Sequence, residues 1–222
     1  MNLLLDIDGT LWNTTGVIAD AWRSGAQALG VDGSVITADN LKKEFGKTMD
    51  VIFSDLYPDI TDKELLARID QEFTVREEQA LSALTADEVR DILYPDVVSV
   101  IEDLSNSHSL FIVSNCQQGY IEQFMDKSGT EQYITDHLCY GDTGRGKGDN
   151  IITLMDRNKI SPDNTFYVGD TKGDHEASCY AGIRMIHCRY GFGRVDGAFA
   201  HIDSFAELKE LVLTLQTPPS CR

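Results

Sequence analysis

Two aspartates near the start of the chain have types and a spacing that suit metal-assisted chemistry. Asp6 and Asp8 follow a short apolar run and precede Gly9. Carboxylates spaced i, i+2 at the end of a strand can point to the same side, and a glycine permits a sharp turn after them. Such a pair repels unless a divalent cation or a shared proton stabilises it. The alternative is a surface Asp-Gly turn, which is common after strands.

A second pair of acids, Asp170 and Asp174, follows another apolar run and Gly169. If the two strands are neighbours, Asp6, Asp8 and Asp170 form an oxygen-rich pocket. Hard oxygen ligands with room for water suit Mg²⁺ rather than zinc. Asp174 could instead serve as the N-cap of the helix that follows.

Three residues between these acids could hold a phosphate group. Ser114 and Asn115 end one apolar run, and Lys147 lies in the glycine-rich segment 144–148. A hydroxyl and an amide can bind phosphate oxygens, and a lysine offsets developing negative charge. Read singly, Ser-Asn is often a turn and a loop lysine is usually solvated. Their order and their positions at strand ends favour a phosphate site.

Five short apolar runs predict the strands that must position these residues. They are residues 3–7, 110–114, 137–140, 165–168 and 184–188. Helical patterns at 120–127 and 148–159 alternate with them, which implies an α/β domain with a largely parallel sheet. In such sheets ligands bind at the carboxyl ends of the strands.

Residues 16–88 interrupt this alternation with helical patterns alone. Thr61 and Glu64 form a capping-box pattern that predicts the start of one helix. Three apolar residues then recur every four positions as one buried stripe, namely Leu65, Ile69 and Phe73. We therefore predict a core of residues 1–15 and 89–216, a helical cap of residues 16–88, and a loose tail of residues 217–222.

The charge balance limits the partners of the protein. The formal net charge is −17, which argues against a general nucleic-acid binder. An acidic protein repels a phosphorylated ligand at long range, so attraction must come from a bound cation and local lysines. Apolar stretches fall far short of the roughly 20 residues of a membrane span, and the first residues show no signal-peptide pattern. Five scattered cysteines fit a reducing compartment, so we expect a cytoplasmic protein that binds no membrane.

Together these motifs resemble the four motifs of the haloacid dehalogenase-like hydrolase superfamily. The matching residues are Asp6-x-Asp8-Gly-Thr-Leu, Ser114-Asn115, Lys147 and Gly169-Asp170-x-x-x-Asp174. The resemblance covers nearly the whole chain, and the helical insertion is similar to the small cap of the phosphoglycolate phosphatase and β-phosphoglucomutase group. It implies a Rossmann-like core with a parallel sheet, and a helical cap that closes over the active site.

The resemblance also implies a function, that of a Mg²⁺-dependent phosphatase of small phosphorylated metabolites, with phosphoglycolate as the first candidate substrate. Asp6 would be the nucleophile and form an aspartyl-phosphate. Asp8 would protonate the leaving alcohol and then activate the hydrolytic water. Asp6, the backbone carbonyl of Asp8 and Asp170 would bind Mg²⁺. Asp174 would be a further ligand or would contact the ligands without binding the metal itself.

The remaining motifs would bind the transferring phosphoryl group through Ser114, Asn115 and Lys147, and Lys147 would also neutralise Asp6. Lys147 is followed by Gly148, where the family commonly has proline.

Other functions compete with this one. A dehalogenase fits poorly, because carbon–halogen cleavage has no use for the acid at Asp8. A β-phosphoglucomutase-like phosphomutase stays open, although such mutases place an arginine near Met49 to hold a second phosphate. Here only Lys47 is available as a candidate contact to an anionic group of the substrate, and Lys47 could equally be solvated at a helix end. A non-catalytic phospho-acceptor module is disfavoured by the helical insertion and by Asp8.

Overall fold

The computed structural model describes residues 1–216 and has one six-stranded sheet at its centre. The strands are β1 (Asn2–Leu5), β2 (Ser109–Ser114), β3 (Asp136–Cys139), β4 (Thr165–Gly169), β5 (Arg184–Cys188) and β6 (Ala200–Ile202). Their order is β3-β2-β1-β4-β5-β6, and every neighbouring pair is parallel. The predicted α/β class with a parallel sheet is confirmed. The predicted tail, residues 217–222, lies outside the described residues.

Alternate residues of the strands pack on opposite faces of the sheet. Leu3 and Leu5 belong to one buried cluster, while Leu4 belongs to the other. Strands covered on both faces read as continuous apolar runs, which is why five of the six strands were predictable. The sixth, β6, was not predicted, because it is three residues long and contains no apolar run.

Eleven helices connect and cover these strands within residues 1–216. They are α1 (Thr15–Leu29), α2 (Ala38–Glu44), α3 (Met49–Leu56), α4 (Lys63–Ala83), α5 (Ala86–Ile92), α6 (Val97–Ser105), α7 (Tyr120–Ser128), α8 (Tyr140–Thr143), α9 (Lys147–Asn158), α10 (Lys172–Tyr180) and α11 (Glu207–Gln216). None of the described helices combines the length and apolar character that a bilayer crossing needs.

Helices α1 to α5 form an all-helical insertion between β1 and the rest of the core, as predicted. We propose that residues 16–88 of this insertion are a cap domain on a core of residues 1–15 and 89–216. Helix α5 crosses the proposed boundary at residue 88.

The start of helix α4 differs from the prediction. The N-cap is Asp62, whose Oδ1 accepts hydrogen bonds from the backbone amides of Glu64 (2.9 Å) and Leu65 (3.3 Å). The predicted capping box at Thr61 is therefore wrong, because the neighbouring aspartate takes the capping position. The predicted apolar stripe is confirmed, with Ile69 and Phe73 fully buried.

Aromatic packing joins the helices of the insertion. The Trp22 indole of α1 stacks on the Phe73 ring of α4 with ring centroids 5.2 Å apart, and Phe53 contacts both rings. The insertion meets the core through α4 and α7, where Gln123 donates hydrogen bonds to the Glu78 carbonyl and the Ser82 hydroxyl. This packing sets the insertion beside the carboxyl end of β2.

Candidate active site

The predicted site residues come together at the carboxyl edge of the sheet. Asp6 directly follows β1, Ser114 ends β2, Asp170 directly follows β4, and Lys147 begins helix α9. Strand β1 lies between β2 and β4, so the ends of these three strands are neighbours. The chain passes from one side of β1 to the other at this point, and such a switch is where open α/β sheets bind ligands.

Lys147 is the buried cation of the site. Its Nζ lies 3.0 Å from Oδ1 of Asp6 and 2.5 Å from Oδ1 of Asp174, and only 4% of the residue is exposed. Burial alone would lower the pKa of Lys147, but the adjacent carboxylates of Asp174 and Asp6 together raise it. Lys147 therefore carries a fixed positive charge beside Asp6 despite the acidic composition of the chain.

Asp174 fixes the loop that follows β4. Its Oδ2 accepts hydrogen bonds from the amides of Asp170 (3.1 Å) and Thr171 (2.9 Å) and from the Thr171 hydroxyl (2.8 Å). Thr171 is the N-cap of α10 and forms a capping box with Asp174, so the alternative that Asp174 itself is the N-cap is wrong. Burial would raise the pKa of Asp174, but Lys147 and these hydrogen bonds lower it.

The Asp170 side chain packs closely against two glycines, Gly9 and Gly191. A Cβ atom on Gly9, whose φ is +79°, would lie 2.2 Å from Asp170 Oδ2, and one on Gly191 would lie 2.3 Å from Asp170 Cβ. Asp170 Oδ2 accepts a 2.6 Å hydrogen bond from the Phe192 amide. Burial, followed by the charges of Asp174 and Asp6, raises the pKa of Asp170 well above its ordinary value.

These three acids form a site whose chemistry fits a divalent cation. Oxygens of Asp6, Asp170 and Asp174 all lie within 4.8 Å of one another. Both carboxylate oxygens of Asp6 are buried, and Oδ2 has no hydrogen-bond donor among the described residues, while Lys147 Nζ lies 3.0 Å from Oδ1. Burial raises the pKa of Asp6 to about 7, with Asp174 adding to the shift. Buried carboxylates that repel one another suit a hard cation such as Mg²⁺.

Asp8 is not part of this cluster, and its carboxyl group is held by two donors. The Thr14 hydroxyl lies 2.9 Å and the Tyr120 hydroxyl 2.8 Å from Asp8 Oδ1. Burial raises the pKa of Asp8 to about 6, although these hydrogen bonds lower it. An acid with a pKa near neutrality can donate and recover a proton in turn.

The two predicted phosphate-binding residues after β2 differ in their surroundings. Ser114 is buried at the strand end. The Asn115 side chain instead reaches the insertion, where its Nδ2 donates a 2.8 Å hydrogen bond to the Gly46 carbonyl. Asn115 Oδ1 is buried without a donor among the described residues, so Asn115 links the insertion to the site.

Lys47 lines the cavity between the insertion and the strand ends, but its charge is already engaged. The Nζ atom lies 2.7 Å from Oε2 of Glu44 and 2.8 Å from Oδ2 of Asp55. Burial lowers the pKa of Lys47, but these hydrogen bonds and charges raise it overall. The ammonium group therefore contacts two acids of the insertion in this structure.

The cavity also contains side chains that sequence reasoning missed. Besides the predicted Asp8, its lining includes Tyr120, Trp22 and Glu77. No sequence pattern indicates Tyr120 as a site residue, since it lies 112 positions from Asp8 along the chain. A pattern does indicate Glu77, because this charged residue stands four positions after Phe73 in the apolar stripe of α4.

Comparisons with known proteins agree with this architecture. A family model described as haloacid dehalogenase-like hydrolase matches residues 3–188. The chain is 26% identical over 227 residues to a protein named phosphoglycolate phosphatase from Vibrio vulnificus, covering 95% of each. A similarly named protein from Aliivibrio fischeri is 24% identical, over 86% of this chain and 84% of that protein.

Solved structures share the fold. A predicted phosphoglycolate phosphatase from Haemophilus somnus superposes with a TM-score of 0.82 at 17% identity, covering 95% of this chain and 97% of that one. A predicted phosphatase from Clostridium acetobutylicum gives a TM-score of 0.79 at 18% identity, covering 96% and 98%.

Proposed function

This chain belongs to the haloacid dehalogenase-like hydrolase family and is a phosphoric monoester hydrolase, and we propose that it cleaves small phosphorylated metabolites through a phosphorylated Asp6. The observation that carries the proposal is the environment of Asp6. Its two carboxylate oxygens are buried, Oδ2 has no hydrogen-bond donor among the described residues, and Lys147 Nζ lies 3.0 Å from Oδ1. The unpaired Oδ2 keeps its lone pairs for attack on phosphorus.

The reaction proceeds in two transfers. In the first, an Asp6 oxygen forms a bond to phosphorus while the bond to the leaving oxygen breaks, and Asp8 gives its proton to that oxygen. In the second, Asp8 takes a proton from water, the water oxygen attacks phosphorus, and the bond to Asp6 breaks to release inorganic phosphate. Each carboxyl group thus returns to its starting state, and the pKa of about 6 at Asp8 suits both proton transfers.

Charge at the phosphoryl group is offset by Lys147, while the Ser114 hydroxyl is a candidate donor to its oxygens. We propose that Asp6, Asp170 and the Asp8 backbone carbonyl hold Mg²⁺, and that Asp174 supports them. When bound, the cation supplies positive charge that stabilises phosphoryl transfer. The indirect role for Asp174 follows from its contacts, since both of its oxygens are already paired with Lys147, Thr171 and the Asp170 amide.

Curated relatives that match most of the chain are named phosphoglycolate phosphatase, which makes phosphoglycolate the reference compound against which other phosphate monoesters are compared. A phosphomutase must hold a second phosphate, which needs an uncompensated cation near the leaving group. Lys47 is paired with Glu44 and Asp55, and this supports simple hydrolysis over mutase activity.

A phosphate-release screen over phosphorylated metabolites with Mg²⁺ tests the proposal. We expect the wild type to release phosphate and Asp6→Asn to fold and release none. Asp126→Asn, at an exposed aspartate of α7, is the matched control and should retain turnover. Unchanged turnover in Asp6→Asn would remove Asp6 from its role.

A further inference from the structure

The helical insertion presents one acidic side chain to the active-site cavity that the reaction does not use. Glu77 lies on α4 and lines the cavity together with Asp8. Only 6% of Glu77 is exposed, which is rare for a glutamate without a charged partner. Its neighbours in the helix stripe, Phe73 and Leu81, are fully buried apolar residues.

The carboxyl group of Glu77 is only half satisfied by the protein. Oε2 accepts a 3.0 Å hydrogen bond from the Trp22 indole. Among residues 1–216, no donor reaches Oε1 and no lysine or arginine forms an ion pair with the group. Burial and the negative charge of Asp8 raise the pKa of Glu77 to about 8. Because Glu77 lines the cavity and Oε1 has no donor from the described residues, this oxygen is available to a ligand.

The leaving group of a phosphate ester that is protonated by Asp8 occupies the cavity that Glu77 also lines. Its ester oxygen has to lie within hydrogen-bond distance of Asp8 to be protonated. Asp8 and Glu77 line the same small cavity, whose other walls include the apolar side chains of Met49 and Ile52. Within this cavity, Trp22 and Glu77 are among the side chains that a substituent of the leaving alcohol can contact.

We propose that ionised Glu77 determines substrate specificity by accepting a hydrogen bond from a hydroxyl or ammonium group of the leaving alcohol, and that it disfavours leaving groups with a second negative charge. This inference rests on the proposed phosphatase function. At a pH above about 8, where Glu77 is ionised, it makes small hydroxylated or aminated phosphate monoesters better substrates than phosphoglycolate, which carries a carboxylate at the same place.

The charges around the cavity support this order of substrates. A carboxylate on the leaving group would lie near the negative charge of ionised Glu77 and would need a cation to offset it. Lys47 is the lysine that lines the cavity, and its Nζ already contacts Glu44 and Asp55. A hydroxyl or ammonium group of the leaving alcohol, in contrast, donates a hydrogen bond to the unpaired Oε1 of Glu77.

Three two-carbon phosphates that differ in one group form a matched test. They are 2-hydroxyethyl phosphate, phosphoethanolamine and 2-phosphoglycolate, assayed for phosphate release with Mg²⁺ beside an aryl phosphate at about pH 9, above the pKa of about 8 of Glu77. We expect wild-type kcat/KM to be about 10-fold or more higher for the hydroxyl and ammonium compounds than for phosphoglycolate, since a polar site discriminates strongly against a ligand that does not match it.

Variants at Glu77 separate recognition from a structural role. We expect Glu77→Leu to abolish the preference through KM, and Glu77→Gln, which can still accept from Trp22, to keep the hydroxyl compound and lose the advantage of the ammonium compound. Glu78→Gln removes the same charge from the exposed side of α4 and should leave the order of substrates unchanged. If Glu77→Leu does not fold, the result for Glu77→Gln decides.

Two kinds of failure are distinguishable. A wild type that turns over the aryl phosphate but prefers phosphoglycolate, or Glu77 variants with the wild-type order of substrates, would overturn this inference and leave the phosphatase function standing. Absence of phosphate release from all four compounds would overturn the proposed function and this inference with it.

Discussion

Tyr120 and Asp8 are joined by a 2.8 Å hydrogen bond from the tyrosine hydroxyl to Oδ1 of the aspartate. The Thr14 hydroxyl contacts the same Asp8 oxygen at 2.9 Å and lies 3.1 Å from the Tyr120 hydroxyl. Tyr120 begins helix α7, whereas Thr14 precedes α1, so the triangle joins the core to the start of the insertion. Because both donors bind Oδ1, we infer that Oδ2 of Asp8 exchanges the proton with the leaving group.

The first prediction concerns Tyr120→Phe, which removes one of these donors. We expect kcat to fall roughly 10-fold, as loss of one hydrogen bond to a charged group predicts. The bond stabilises ionised Asp8 and so lowers its pKa; without it, Asp8 keeps its proton to higher pH. Since the first transfer needs protonated Asp8, the alkaline limb of the kcat/KM profile should move to higher pH in the variant.

Tyr133→Phe is the control, because the Tyr133 hydroxyl has no hydrogen-bond partner among the described residues. Its pH profile should match the wild type. An alkaline limb that stays in place in Tyr120→Phe, or moves to lower pH, would contradict the role given to Tyr120.

The second prediction concerns stability and Glu77. The pKa of Glu77 is raised from 4.5 to about 8 by burial, so between these values the folded protein binds a proton that the unfolded chain has lost. Its free energy of unfolding must therefore fall as pH rises through this window, by at most about 1.4 kcal/mol per pH unit. Glu77→Gln removes this dependence. We expect its Tm relative to wild type to rise between pH 4.5 and pH 8.

Thermal unfolding at several pH values measures this difference, with Glu78→Gln as the control for a general change of charge. A Tm difference between Glu77→Gln and wild type that is constant with pH would show that Glu77 ionises normally in the folded protein.

The third prediction concerns Lys147, the cation between Asp6 and Asp174. Lys147→Met leaves both carboxylates buried without it, and charge on the phosphoryl group is no longer offset from that side. We expect kcat to fall about 100- to 1000-fold, the usual cost of one preorganised electrostatic contact. Lys159→Met, at the exposed end of the same helix, should keep wild-type kinetics. Turnover within a few-fold of wild type in Lys147→Met would contradict the assignment.

The fourth prediction concerns the metal. Mg²⁺ bound at the proposed site would relieve the repulsion among Asp6, Asp170 and Asp174, so added Mg²⁺ should raise the Tm of the wild type, as any ligand of the folded state does. Asp170→Asn should weaken this stabilisation and lower the Mg²⁺ affinity measured by titration calorimetry. Asp163→Asn, at an exposed residue just before β4, is the control and should respond like wild type. Equal Mg²⁺ affinity in Asp170→Asn and wild type would exclude Asp170 as a ligand.

The strands and the acids that follow them could be predicted from the sequence because their signals are local. An apolar run, a glycine and two acids occupy consecutive positions, as in the segment from Leu3 to Gly9, and parallel strands bring their carboxyl ends to one edge. The N-cap of α4 could not be chosen the same way. Thr61 and Asp62 are adjacent and both can cap a helix, and only the backbone geometry selects Asp62.

Contacts between distant segments account for the rest of what was missed. Nothing in the spacing of Tyr120 and Asp8 reveals their hydrogen bond, and the ion pairs of Lys47 depend on how α2 and α3 pack. The unusual position of Glu77 could be recognised from the sequence, since it interrupts an apolar stripe that repeats every four positions through Phe73. Its orientation towards Asp8 and the cavity follows only from the docking of the insertion on the core.

The most direct test of the account is to detect the phosphorylated enzyme itself. Wild-type protein, quenched with acid during turnover of an aryl phosphate with Mg²⁺, should show the mass of one added phosphoryl group, and peptide mapping should assign it to Asp6. Asp6→Asn should show none. A phosphoryl group mapped to another residue, or turnover by the wild type with no phosphorylated enzyme at any quench time, would contradict nucleophilic attack by Asp6.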